Sequence, residues 1–230
     1  MITFGDYILY GMCDGEYNGE KTIKHTNPDI VAGKMWLIGR SYAASPERRI
    51  GKKPDISKET TNTDTDFFGK VADLIVCDER RNELDTAISQ FQKCKYSYDF
   101  KEDKHILEKT LDLVELFNEI IKSASMQYKS EKYKNATELP PVENNISFVS
   151  KYLHFHLPEI IYIMDNYSRD NGKKKYNKEN KQILNDFKRK SIYGEYSEHI
   201  LRCYFIAQEL NADNKDCTPR VIDNILMLRG

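Results

Sequence analysis

A run of apolar residues at helical spacing dominates the middle of this chain. Between residues 102 and 128, Ile106, Leu107, Leu111, Val114, Leu116, Phe117, Ile120 and Ile121 recur every three or four positions. That spacing gathers them into one wide stripe along a helix, and such a stripe has to be covered. The flanking segments supply more helices. Phe67, Phe68, Val71, Leu74 and Ile75 predict a helix from a cap at Asp64 or Thr65 to about Asp78. Leu84, Ile88 and Phe91 predict a second over about 81–93. Residues 3–12 form a short amphipathic helix with Phe4, Tyr7, Ile8 and Met12 on one side, and residues 30–45 read as a buried helix. Toward the C-terminus, ISFVSKYLHFH is a helix capped by Asn145 or Ser147 that ends near Pro158. Two more cover about 195–210 and 218–229, with Pro219 well placed at the start of the last. No internal repeat and no sustained period-two alternation is present, so the expected class is all-α, a multi-helix globular fold. Residues 50–63 read as a polar loop, and 129–145 as a linker in which Pro140–Pro141 stops helix on both sides. The run IIYIM after Pro158 is too short to assign to helix or strand. These breaks allow one domain over 1–230, or two helical subdomains of about 1–128 and 139–230 sharing a cleft.

Composition narrows the function classes. With 230 residues and 40% hydrophobic content, the chain buries enough surface to fold without staples. The net charge of −1 offers no global basic field, which argues against non-specific coating of nucleic acid. The aromatics are mostly tyrosine, 15 Tyr against 10 Phe and one Trp, which suits a core with wet edges. Cys13, Cys77, Cys94, Cys203 and Cys217 are odd in number, widely spaced and free of any CxxC, so they predict neither a disulfide framework nor a zinc site. The N-terminal apolar stretch is too short, and its flanks too acidic, for a signal peptide. No run approaches the ~20 apolar residues of a membrane span. The expected location is the cytoplasm, with no membrane partner and a monomer favoured.

The segment Ser147 to Arg169 carries the most chemistry. Lys151 lies among Phe148, Val149, Leu153 and Phe155, where it loses hydration and its neutral, nucleophilic form is favoured. Pro158 then breaks the helix, a short apolar run follows, and Asp165 comes after it. The same pattern also fits a lysine that snorkels to solvent and an aspartate that caps the next helix.

The order lysine, apolar helix, proline, apolar run, aspartate resembles the core of the helix-hairpin-helix DNA glycosylases, in particular bacterial 8-oxoguanine glycosylase-like proteins. The resemblance spans about residues 139–169. It implies that Lys151 attacks the sugar carbon C1′ and that Asp165 stabilises the developing cationic sugar and handles protons. It further implies a DNA partner, and it needs no metal or other cofactor. The segment departs from the superfamily's hairpin: Leu139-Pro140-Pro141-Val142-Glu143-Asn144-Asn145 keeps the Leu-Pro start and lacks the glycines that let backbone approach a phosphate. The lysine-to-aspartate spacing is also tighter than the superfamily's.

Other segments fit around this core. Arg169, Lys173, Lys174, Lys175 and Lys178 follow Asp165 and, with Tyr167 and Tyr176 beside them, are candidates for gripping DNA. They read equally as a solvated face. In WLIGRSYAASPERR, Trp36, Arg40 and Tyr42 are candidates for a base pocket. An arginine in an apolar helix needs an anion, either a phosphate or a carboxylate such as Asp223. His154 and His156 with Asp165 suggest a rival, a metal-dependent nuclease or hydrolase. A non-enzymatic helical protein that binds nucleic acid or another protein is the second rival. Repair of damaged bases and defence against phage DNA both suit a glycosylase of this kind.

Overall fold

The computed structural model describes residues 4–17, 19–42, 44, 46, 65–134, 142, 144–175, 181–189 and 193–227. The expected loop at 50–63, the Pro140–Pro141 stop and Lys178 lie outside them. The described helices are α1 (Phe4–Cys13), α2 (Pro28–Ser41), α3 (Thr65–Cys77), α4 (Arg81–Phe91), α5 (Phe100–Lys132), α6 (Ile146–His156), α7 (Asn166–Lys175), α8 (Lys181–Phe187), α9 (Gly194–Ala212) and α10 (Pro219–Met227). One small antiparallel ribbon, β1 (Glu16–Tyr17) with β2 (Glu20–Lys21), follows α1. Gly19 has φ +80 in its turn, a conformation open to glycine. The fold is therefore predominantly helical. Among the described residues, no helix is long and apolar enough to cross a membrane.

Packing divides the chain into two compact units. One comprises Ile2–Ala87 and Leu116–Phe148. In it α2 packs against α1 and α3. Met12 lies where a side chain on Gly33 would stand. Phe67, Phe68, Val71, Ala72 and Ile75 of α3 are buried, and Phe67 meets the Tyr128 ring edge-on at 5.4 Å. The N-terminus of α2 is capped by Asn27, whose side chain accepts from the N–H groups of Asp29 and Ile30, with Pro28 at the first helical position. The helix therefore begins two residues before the apolar run that marks it in the sequence.

The other unit comprises Ile88–Glu115 and Val149–Gly230. Helix α9 is its spine, with α7, α8 and α10 packed on it. Nearly all of α9 from Tyr196 to Ala207 is buried, which suits a central helix apolar on most sides. Asp103 ties the loop before α5 to α9: it accepts from the N–H groups of Ser97 and Tyr98 and from the Tyr204 hydroxyl at 2.8 Å. Between α6 and α7 the chain runs through a turn at Pro158–Ile160 and then without regular secondary structure through Asp165, and Ile160 to Met164 are all buried. This strap is the apolar run that the sequence leaves unassigned.

Candidate active site

A buried segment outside any helix or sheet must find partners for its backbone. Here side chains supply them. The Tyr96 hydroxyl donates to the Ile160 carbonyl at 2.9 Å, and His154 Nδ1 lies 2.8 Å from the Ile161 carbonyl. The Tyr196 hydroxyl donates to the Tyr162 carbonyl at 3.1 Å, and His199 Nε2 lies 2.8 Å from the Ile163 carbonyl. A carbonyl only accepts, so each imidazole must carry its proton on the named nitrogen. Finally, the N–H of Met164 donates to Ser150 Oγ at 3.1 Å. Each backbone carbonyl from residue 160 to 163 thus has its own side-chain donor.

The strap delivers Asp165 to the start of α7. The carboxylate divides its two oxygens. Oδ1 accepts from the N–H of Ser168 at 2.8 Å, while Ser168 Oγ accepts from the N–H of Asp165 at 3.0 Å. This is a reciprocal helix cap. Oδ2 lies 3.6 Å from Lys151 Nζ, an ion-pair separation. The positive end of the α7 dipole favours a carboxylate at this position. Asp165 is thus both the helix cap and the partner of Lys151.

Lys151 stands at the middle of α6, flanked by the buried Ser150 and Tyr152. Its side chain is 6% exposed, against 23% for Asp165. Burial lowers its pKa, while Asp165 and, from α10, Asp223 pull it back up. Asp223 is itself bonded to Arg220 of its own helix at 3.2 Å. The result is an amine shielded from water yet beside a carboxylate that reaches the surface. Such a pair can pass a proton from nitrogen to oxygen and expose a nucleophile.

The remaining candidates fall elsewhere. Lys173, Lys174 and Lys175 are exposed in the last turn of α7 and, among the described residues, make no ion pair. Arg169 is engaged by Asp170 at 3.2 Å and Glu195 at 3.0 Å, and Arg189 by Asp112 at 2.6 Å and Glu115 at 3.2 Å. Among the described residues, the basic stretch therefore shows three open lysines, with Arg169, Lys188 and Arg189 held in ion pairs.

The expected burial of Arg40 is corrected. Helix α2 buries Ile30, Val31, Lys34, Met35, Ile38 and Gly39, whereas Trp36 is 51% exposed and Arg40 is exposed. Residues 36 and 40 are one turn apart and share the solvent face, so Arg40 needs no buried anion. Tyr42 is half-buried just past the helix, its N–H bonded to the Ile38 carbonyl at 3.0 Å.

The His154, His156 and Asp165 set is not assembled either. Among the described residues, no group of three or more His, Cys, Asp or Glu could hold a metal ion. His154 commits Nδ1 to the strap, and His156 stacks on Tyr152 with ring centroids 5.1 Å apart.

The sequence did not point to Ser150, Tyr96, Tyr196 or His199, which act on backbone atoms and leave no spacing to read. Ser168 could have been found, because Asp165-x-x-Ser168 is a capping pattern. A separate cavity of about 430 Å³ in this unit, between α5 and α8, has Phe100, Leu111, Ile183 and Phe187 among its lining and does not include Lys151 or Asp165. Comparison with protein-family models, with curated proteins and with solved structures gives no match to this chain.

Proposed function

We propose that this chain is a DNA glycosylase and lyase of the helix-hairpin-helix kind, with Lys151 as nucleophile and Asp165 as its carboxylate partner. The observation that carries the reading is the buried Lys151 amine 3.6 Å from Asp165 Oδ2. A base in a duplex must be flipped out of the stack before it can be excised. Asp165 would take the proton from the Lys151 ammonium. The freed amine would attack C1′ as the C1′–N glycosidic bond breaks, with the bonding pair leaving on the base. The carboxylate would balance the positive charge that builds on the sugar. Ring opening then gives a protonated imine between Lys151 Nζ and C1′. Loss of a C2′ proton and departure of the 3′ phosphate would cleave the strand. Lys173, Lys174 and Lys175 lie ~12–15 Å along α7 from Asp165, at 1.5 Å rise per residue, within reach of the same DNA backbone. Excision of a damaged base in repair and of a modified base in phage DNA both use this chemistry.

The test is borohydride trapping. The protein is incubated with duplex DNA carrying an abasic site, reduced, and scored for a covalent adduct. An adduct lost in Lys151→Ala and kept in variants of Lys173–Lys175 is the expected result. Absence of an adduct with the wild-type chain on abasic DNA would remove the lysine mechanism.

A further inference from the structure

The distance between Lys151 and Asp165 is the quantity on which the proposed chemistry depends. Along the chain the two are separated by the rest of α6, the turn at Pro158–Ile160 and the strap. That path alone would fix their spacing poorly. The structure holds a much shorter link. Ser150 immediately precedes Lys151, Met164 immediately precedes Asp165, and the two are joined by the bond from the Met164 N–H to Ser150 Oγ at 3.1 Å. Ser150 is fully buried and Met164 nearly so. Water cannot readily replace the bond, and a lost partner would leave a buried N–H unsatisfied.

A second anchor lies one residue earlier. His199 of α9, fully buried, holds the Ile163 carbonyl through Nε2 at 2.8 Å. Its Nδ1 lies beneath α7, 3.8 Å from where a side chain on Gly172 would begin. The strap is therefore pinned from α6 at Met164 and from α9 at Ile163, directly ahead of Asp165. Neither Ser150 nor His199 touches the reacting atoms in the scheme above.

We infer that Ser150 and His199 are positioning residues: Ser150 ties the lysine helix to the aspartate strap, His199 fixes that strap against α9, and together they set the Lys151–Asp165 separation. The inference about catalysis rests on the glycosylase reading, whereas the tie itself is a statement about geometry. Displacing a reacting group by ~1 Å lowers rates by ~100-fold, so the expected loss is in rate and not in DNA affinity.

The deciding experiment compares Ser150→Ala with Val149→Ala, which opens a cavity at a neighbouring buried position of the same helix and leaves the tie in place. Two readouts are taken on folded protein, confirmed by near-UV circular dichroism. One is the pH at which Lys151 titrates, followed by NMR of its labelled side chain, which needs no DNA. The other is the rate of borohydride trapping on abasic duplex, with the Kd measured separately. Asp165 favours the ammonium, so loosening the pair must lower the titration point. Ser150→Ala is expected to lower it by ~0.5 pH unit or more and to slow trapping at least ~10-fold at unchanged Kd. Val149→Ala should do neither, and His199→Gln, which keeps a donor, should fall between. Unchanged titration in Ser150→Ala, or an equal change in Val149→Ala, overturns the inference. If the wild-type chain forms no adduct but Ser150→Ala still shifts the titration, the tie stands and the glycosylase reading falls.

Discussion

Lys34 and Lys151 are both buried lysines, and burial lowers the pKa of both, yet the chain holds them differently. Lys34, in α2, is fully buried and donates to the Thr22 carbonyl. Cys13 and Asp85 act on its charge, and burial pushes the Cys13 thiol up to about 12. Around it, His25 Nδ1 meets Asp85 at 2.6 Å. Lys151 instead faces a carboxylate that is partly open to solvent. The carboxylate near Lys34, Asp85, is 11% exposed and bonded to His25, whereas the one facing Lys151 is 23% exposed, and the second arrangement is the one suited to chemistry. Burial alone does not separate the two, and the partner and the path to solvent do.

Substitution of each lysine by methionine tests this contrast most sharply. Lys151→Met should abolish borohydride trapping, a fall beyond ~100-fold, and lower stability by ~1–3 kcal/mol, because it removes one partner and leaves the part-buried Asp165 carboxylate unpaired. Lys34→Met should leave trapping per folded molecule unchanged and destabilise the chain by ~1–3 kcal/mol through the abandoned Thr22 carbonyl, read by urea denaturation. A trapping loss in Lys34→Met at full folding would break the contrast.

The next largest effect separates the two duties of Asp165. Asp165→Asn removes the proton acceptor and keeps a side chain that caps helices equally well. Trapping should fall ~100-fold, and stability should fall by ~1–2 kcal/mol with the charge opposite the buried Lys151, the cap being kept. Asp165→Ala should lose the same activity and a further ~1 kcal/mol of stability with the cap.

Acid reports on the anchor of the strap. Burial lowers the pKa of His199 to about 4. The folded form therefore binds its proton less readily than the unfolded form, and stability is lost as pH falls from about 6.5 toward 4. The loss at pH 4 is about 3 kcal/mol from this group. Denaturant titrations at pH 7 and pH 4.5 should show a fall that is smaller in His199→Gln, which has nothing to titrate, the remainder including the buried His25, whose pKa burial also lowers.

The smallest effects belong to the surface. Replacing Lys173, Lys174 and Lys175 by alanine should flatten the salt dependence of DNA affinity by ~0.9 in log–log slope for each lysine that contacts a phosphate. Equilibrium binding at several salt concentrations measures it. Trp36→Ala should change stability by less than ~0.5 kcal/mol, because half of the ring is already in water.

Much of the helical framework was legible. Phe67 to Ile75 and the stripe through residues 106–121 bury one face each, and apolar spacing of three and four has no other efficient solution. The burial of Lys151 was only half legible, because apolar neighbours on α6 fit both a buried lysine and one that snorkels to solvent, and packing decided between them. Arg40 was not, since a helix rich in apolar residues can still turn one narrow face to solvent.

What the sequence by itself determined was the class of structure and the order of a lysine among apolar neighbours ahead of an aspartate. Both follow from short-range periodicity, which reads directly from residue order. What only the tertiary structure decided was the strap. Five apolar residues are too few to choose a conformation on local grounds. Their path is held by Ser150 and His154 from the preceding helix and by Tyr96, Tyr196 and His199 from distant parts of the chain, four donors and one acceptor. These side chains bond backbone atoms, which every residue carries, so no residue pattern announces the match. The separation of Lys151 from Asp165 is set by those bonds, and hence by the packing of α6, α7 and α9 and not by spacing along the chain.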